Sequence, residues 1–292
     1  MSVPQAENFA EGLFQTADGP KIEFRDYPAV GGARGAPVLM LHGLTRNVRD
    51  FEELAPMVAA LGRRVLTASQ RGRSKSDPDP QPERYTPMTY AGDMLGLLGH
   101  CGVDKAVFVG TSMGGLMTMI TAAIAPDRMV GAVLNDIGPE LDPAGLARIQ
   151  GYVGVGRPAT TWEEAAARIR DINAPAFPLE KDDAFWMTMA RRTYRELPDG
   201  ALTLDYDPKI AGAFSPASQL QDLWPVFDAL KPIPTLVVRG AISDILAVST
   251  VEEMKRRKPD MKIASVPDVG HAPFMTEPAA WEALQAFLSE LP

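Results

Sequence analysis

Residues 106–115 read AVFVGTSMGG, and this stretch decides the fold. Residues 106–109 form a short apolar run that predicts a buried strand, and residues 113–125 form an apolar run long enough for a buried helix. Between them, residues 110–114 match G-x-S-x-G, a pattern that places a serine on a sharp turn from strand to helix. Both glycines are required because a Cβ there would bring strand and helix into collision. The sequence therefore predicts Ser112 as an exposed nucleophile.

The same stretch raises the alternative of a membrane span. Residues 106–126 contain no charged side chain, which approaches the ~20 residues of a transmembrane helix. The glycine-rich turn interrupts this run in its middle, which favours a strand, a turn and a helix. We therefore expect no membrane association.

Outward from this stretch, short apolar strands alternate with helical segments. Strands are predicted at residues 22–27, 38–41, 64–68, 130–134, 235–238 and 262–266, and helices at 50–61, 89–101, 250–257 and 278–291. This alternation is typical of the α/β class, with a mostly parallel sheet and helices on both faces.

The rhythm changes in residues 138–230. Strand-like runs disappear there and helical patterns dominate, as in residues 162–172 and 182–194. We interpret this region as a helical insertion into one α/β core formed by residues 1–137 and 231–292.

A nucleophilic serine needs a general base, and the chain has three histidines. His100 lies near the end of a predicted helix, where a positive side chain suits the helix dipole. His42 directly follows a buried strand and is better suited to shaping a turn. His271 lies in the loop after the last strand, and such loops carry the active groups of parallel sheets. We predict His271 as the base.

The histidine in turn needs a carboxylate that fixes its tautomer. Asp244 follows the strand at residues 235–238, and the chain order Ser112, Asp244, His271 is the one expected with this serine motif. We predict Asp244 in this role. Asp136 also ends a strand and remains an alternative, as a supporting residue or a helix cap.

Backbone N–H groups must stabilise the oxyanion that forms during acyl transfer. One donor is expected from Met113, which follows the nucleophile, and the other from the loop after residues 42–43. Leu44 is the natural candidate in that loop.

Together these residues resemble the α/β-hydrolase family over almost the whole chain. The matching features appear in family order: His42-Gly43, the arginine-glycine turn at residues 70–74, the serine motif, Gly240 with Asp244, and Gly270-His271. The resemblance implies a triad of Ser112, Asp244 and His271, and it identifies the helical insertion as similar to the family's cap domain. One departure is Ser69-Gln70-Arg71, which stands where many members have aspartate before the arginine-glycine turn; we expect a local structural consequence and no loss of chemistry.

The resemblance also excludes some relatives. Haloalkane dehalogenases and epoxide hydrolases of this fold use aspartate as the nucleophile, unlike Ser112. Prolyl aminopeptidase-like members carry HGGPG, whereas residues 42–46 read HGLTR. Ring-fission carbon–carbon hydrolases share the serine motif and remain a minor alternative.

Composition narrows the partners. The net charge of −8 argues against nucleic acid, which needs a basic face. A single cysteine and scattered histidines supply no metal cluster or disulfide, so we expect no metal and no cofactor. Residues 1–8 show no secretory pattern, which favours a cytoplasmic location. The oligomeric state stays open.

The expected activity is hydrolysis of a small carboxylic ester, thioester or lactone. The alternatives are a carbon–carbon hydrolase, an acyltransferase or a cofactor-free haloperoxidase with the same triad, and a non-catalytic small-molecule receptor. Trp186 is a candidate for the lining of a substrate pocket, although large apolar side chains in such an insertion more often dock a helix on the core. Arg191 and Arg192 are candidates for binding a substrate carboxylate, but we favour a solvated helix face for both.

Overall fold

The computed structural model describes residues 8–214 and 222–292. Residues 1–7, from which we expected a cytoplasmic location, lie outside the described residues. The strands, numbered in chain order, are β1 (Ala10–Gln15), β2 (Lys21–Tyr27), β3 (Val38–Leu41), β4 (Val65–Ala68), β5 (Ala106–Thr111), β6 (Met129–Asn135), β7 (Tyr194–Glu196), β8 (Leu202–Leu204), β9 (Thr235–Gly240) and β10 (Lys262–Val266). Eight of them form one sheet in the order β1-β2-β4-β3-β5-β6-β9-β10. In this sheet, the pairings from β4 to β10 are parallel, and the β1–β2 and β2–β4 pairings are antiparallel. The predicted α/β class is confirmed.

Helices cover both faces of this sheet. They are α1 (Leu54–Ala60), α2 (Pro87–His100), α3 (Met113–Ile124), α4 (Pro143–Gln150), α5 (Trp162–Asn173), α6 (Asp183–Thr193), α7 (Trp224–Asp228), α8 (Val248–Arg257) and α9 (Pro278–Ser289). One apolar cluster joins the sheet to α2, α3 and α8, and a second joins its other face to α1 and α9. Both faces are therefore buried, as a parallel sheet requires.

The uncharged stretch at residues 106–126 divides into β5 and α3, as predicted. The sharp change of direction between them lies at Ser112. Within residues 8–214 and 222–292, no helix has both the length and the apolar character needed to cross a bilayer.

Residues 138–230, here called the insertion, leave the sheet after β6 and return at β9, which are neighbouring strands. Helices α4 to α7 lie in the insertion. The expectation that it lacks strands is wrong, because β7 and β8 pair as an antiparallel hairpin and Tyr194 begins β7 instead of extending α6. Strands of three residues are too short to show an alternating pattern. The division of the chain at residues 138 and 230 stays a prediction.

Candidate active site

The turn at Ser112 has the strained geometry expected of a nucleophile. Its φ and ψ are 53° and −117°, a conformation that non-glycine residues rarely adopt. A Cβ on Gly110 would lie 2.2 Å from the carbonyl oxygen of Gly114, and a Cβ on Gly114 would lie 2.1 Å from that of Leu41. Both glycines are thus required by close approach of the backbone, as predicted.

His271 contacts the serine directly. Its Nε2 lies 2.8 Å from Ser112 Oγ, and its Nδ1 lies 2.8 Å from Asp136 Oδ2. The ring lies in the loop after β10, at the edge of the sheet where the parallel strands end. Serine, histidine and a carboxylate therefore form one continuous hydrogen-bonded chain, with the histidine side chain 9% exposed and the carboxylate fully buried.

The carboxylate in this chain belongs to Asp136, the first residue after β6. Its Oδ1 accepts a hydrogen bond from the backbone N–H of Gly240 at 2.8 Å. Its Oδ2 accepts from the hydroxyl of Ser243 at 2.6 Å, in addition to the imidazole of His271. Three donors compensate a buried charge, which would be costly if left unpaired. Ser243 was not predicted, because it carries no motif of its own.

Asp244 occupies a different position from the one we predicted. Arg148 of α4 donates to it from Nε at 2.5 Å and from Nη2 at 2.9 Å, so the carboxylate is bound to the insertion and not to His271. Partial burial would raise the pKa of Asp244, but the hydrogen bonds and charge of Arg148 hold it below the usual range. The sequence placed Asp244 on the correct edge of the sheet but did not reveal this competing arginine.

Asn135 ties the strand ends together. Its side-chain amide donates to Thr111 Oγ1 at 3.0 Å and to the carbonyl of Pro273 at 2.7 Å, and its own carbonyl accepts from the N–H of Ser112. One buried amide thus contacts both the serine turn and the histidine loop. The sequence signal for this role was only its place beside Asp136.

The two predicted oxyanion donors lie beside the serine. A Cβ on Gly43 would lie 3.7 Å from Ser112 Cβ, so the chain that carries Leu44 passes directly by the nucleophile. Met113 is the first residue of α3. Neither the Leu44 nor the Met113 N–H donates a hydrogen bond to any acceptor in residues 8–214 and 222–292. Both groups are therefore available to an oxyanion.

His42 holds this loop from below. Its Nε2 accepts from the backbone N–H of Gln70 at 3.0 Å, so Nδ1 carries the proton and donates to the carbonyl of Gly43 at 2.7 Å. Burial, reinforced by the charge of Arg73, lowers the pKa of His42 to about 3, which keeps the ring neutral. Arg73 also donates to the carbonyl of Leu44. The two peptide groups that flank Leu44 are thus fixed, and one of them carries the predicted donor N–H.

A cavity of about 1000 Å³ opens above the serine and is lined by both the core and the insertion. Ser112 and His271 form part of its wall, and Phe177 lines it from the insertion. The prediction that Trp186 lines the pocket is wrong. Its ring is 2% exposed and packs within the insertion against Phe177 and Phe185.

Comparisons with known proteins identify the family and the fold. The model of the α/β-hydrolase fold matches residues 36–278. A crystal structure of an α/β hydrolase from Novosphingobium aromaticivorans is similar with a TM-score of 0.89 and 41% identity, covering 97% of this chain and 98% of that one. The 3-hydroxybutyrate-oligomer hydrolase of Cupriavidus necator is 35% identical over 247 residues, 82% of this chain and 83% of that protein. The sn-1-specific diacylglycerol lipase ABHD11 of Danio rerio is 29% identical over 247 residues, 82% of this chain and 74% of that protein.

Proposed function

The chain belongs to the α/β-hydrolase family, and from this premise we propose that it is a serine hydrolase of small carboxylic esters, thioesters or lactones. The observation that carries the proposal is the chain of two 2.8 Å hydrogen bonds from Ser112 through His271 to Asp136. In this proposal Asp136 takes the role that we predicted for Asp244.

The reaction follows from the positions of these groups. His271 Nε2 takes the proton from Ser112 Oγ as the oxygen attacks the substrate carbonyl. Asp136 stabilises the imidazolium, and the N–H groups of Leu44 and Met113 stabilise the oxyanion. The imidazolium then gives its proton to the leaving oxygen or sulfur, which leaves an acyl group on Ser112. A water molecule, deprotonated by the same histidine, releases the acid and restores the serine.

Two of the relatives support an ester as the bond that is cleaved. One is named for hydrolysis of 3-hydroxybutyrate oligomers, whose units are joined by ester bonds, and another for lipase action on diacylglycerol. In this chain, a cavity walled largely by apolar side chains offers space for the hydrocarbon part of such a substrate. We propose that the insertion acts as the cap over this cavity.

The proposal is tested by exposing the protein to a fluorophosphonate probe and measuring intact mass. We expect one adduct on the wild type and on Ser289→Ala, a control whose serine lies at the exposed end of α9, and none on Ser112→Ala. Hydrolysis of short-chain esters should fall by about 10⁴ or more in Ser112→Ala. Ester hydrolysis that survives this substitution would exclude the mechanism, and a folded wild type that takes no adduct would favour the receptor alternative.

A further inference from the structure

We propose that Arg46 binds a carboxylate of the substrate, so that the preferred esters carry a free acid group a few bonds from the scissile carbonyl. This inference rests on the proposed serine hydrolase and names its substrate class. Half-esters of short dicarboxylic acids and esters of short hydroxy acids have this arrangement, whereas glycerides do not.

Arg46 lies in the loop beside the nucleophile Ser112. It lies two residues beyond the predicted oxyanion donor Leu44 and lines the same cavity as Ser112. The point where a Cβ on Gly43 would sit lies 3.7 Å from Ser112 Cβ and 3.8 Å from Arg46 Cγ. The arginine stem and the nucleophile therefore flank the same glycine, and both side chains line one cavity.

The guanidinium keeps donors for a ligand. Its Nε donates to Asp50 Oδ2 at 3.0 Å, and its Nη1 donates to Thr193 Oγ1 of the insertion at 3.1 Å. A guanidinium has five N–H groups, so one on Nη1 and both on Nη2 remain. These have no acceptor in the described part of the chain. A carboxylate that approached this side of the guanidinium would accept one N–H from Nη1 and one from Nη2, in bidentate fashion.

Asp50 neutralises the charge of Arg46, but it occupies only part of the guanidinium. Asp50 contacts the arginine through one oxygen and on one edge only, and the side chains of Arg46 and Asp50 are 18% and 14% exposed. A guanidinium this sheltered from water interacts more strongly with a second anion than an exposed one would. The cavity wall also includes Arg168, which is bonded to Glu164, Arg157 at the exposed rim, and two exposed carboxylates, Asp171 and Asp222.

The two arginines first considered for this role lie elsewhere. Arg191 stacks on the ring of Trp162 at 4.6 Å, and Arg192 donates to Glu53 at 2.6 Å. Neither lines the cavity that contains Ser112. The structure thus moves the candidate from α6 to the loop beside the nucleophile.

The test compares two substrates that share one scissile ester and differ in charge. These are 3-(butanoyloxy)butanoate and its neutral dimethylamide, with butanoate release measured for both. A second pair, mono(4-nitrophenyl) succinate and 4-nitrophenyl butanoate, places the charge on the acyl side. For the wild type we expect kcat/KM to favour the charged member of at least one pair by 10-fold or more, on the order of one charged hydrogen bond.

Arg46→Gln is expected to reduce this preference by about 10- to 100-fold, mainly through KM of the charged ester. Arg46→Lys should keep part of it, because the charge remains while the bidentate geometry is lost. Arg191→Gln is the matched control, since it removes one positive charge outside the cavity, and it should leave the preference as in the wild type.

An equal preference in the wild type and Arg46→Gln for both pairs would overturn the inference while leaving the proposed hydrolase intact. Loss of the proposed function itself would appear differently, as absence of turnover of charged and neutral esters alike in the wild type. If Arg46→Gln fails to fold, inhibition of the wild type decides: 3-hydroxybutanoate should bind at least 10-fold more tightly than 3-hydroxybutanamide, and equal inhibition would overturn the inference.

Discussion

At the scale of single residues, the two carboxylates beside the histidine loop have different partners. Asp136 accepts from His271, Ser243 and a backbone N–H, while Asp244 is bonded to Arg148. Asp136→Asn is expected to lower kcat/KM for a neutral ester by about 10⁴, because the amide favours the wrong imidazole tautomer. The measurement is steady-state hydrolysis with the folded state checked by circular dichroism.

The matched variant is Asp244→Asn, which replaces the other carboxylate, in the loop after β9, by the same amide. Its expected loss is less than about 10-fold, because the effect must pass through the contact with the insertion. A larger loss in Asp244→Asn than in Asp136→Asn would restore our first prediction for the acid.

Ser243 is expected to act as a positioning residue for Asp136. Ser243→Ala removes the 2.6 Å hydrogen bond to Oδ2 while leaving the bond from Gly240 in place. We expect kcat to fall by about 10-fold, since one hydrogen bond to a charged group is lost, with KM little changed. Ser243→Thr retains a hydroxyl and should recover part of the rate. If alanine and threonine have the same effect, the hydroxyl has no such role.

The residues that a motif defines could be predicted, and those defined by a meeting of distant loops could not. Ser112 lies in a pattern with a steric cause, and His271 is one of only three histidines. Asp136 and Asp244 both follow strands that end at the same edge of the sheet, so strand order alone does not distinguish them. What separates them is Arg148, which approaches from the insertion and binds one of the two.

At the scale of elements, α4 is fixed to the loop after β9 by a very close contact. A Cβ on Gly145 would lie 2.1 Å from the carbonyl oxygen of Asp244, so no larger residue fits without displacement of the helix. Gly145→Ala is therefore expected to lower the free energy of unfolding by about 1–3 kcal/mol. The measurement is urea denaturation followed by fluorescence.

Gly92 supplies the comparison for this prediction. It lies within α2, and a Cβ there would meet no heavy atom within 4 Å. Gly92→Ala should raise the free energy of unfolding by roughly 0.5–1 kcal/mol, because alanine favours a helix more than glycine does. Equal effects of the two substitutions would show that α4 does not depend on its contact with Asp244.

Element prediction succeeded where an element is long or fully buried. The strands β3 and β5 begin as continuous apolar runs, and α9 begins at its predicted residue and ends two residues before its predicted end. Strand β1 is mostly exposed, with Leu13 53% exposed, so no regular apolar pattern marks it. The β7–β8 hairpin is defined by its backbone pairing, and its composition gives no strand signal.

At the scale of the whole molecule, His42 couples stability to pH. The folded protein keeps this histidine neutral, with its pKa lowered to about 3 by burial, whereas the unfolded chain binds a proton below about 6.5. Between these values the unfolded state holds more protons, so stability falls as the pH falls. The contribution reaches about 1.4 kcal/mol per pH unit for one proton.

This coupling is measurable as the slope of unfolding free energy against pH from 6 to 4. His42→Gln should be less stable at neutral pH, because the bonds to Gly43 and Gln70 change. The slope of its unfolding free energy against pH should nevertheless be shallower than that of the wild type, by up to about 1.4 kcal/mol per pH unit, the value for one proton. Parallel curves for the two proteins would mean that His42 is not the group that resists protonation.

The insertion leaves and rejoins the sheet at neighbouring strands. Because β6 and β9 are neighbours, the chain departs and re-enters at adjacent points, and a transplanted segment of another length would meet the same two ends. Ser112, Asp136 and His271 all lie outside residues 138–230. If the insertion acts as the proposed cap, a replacement of this segment would change the cavity wall and leave those three residues in place, provided that it brought its own anchor for Asp244.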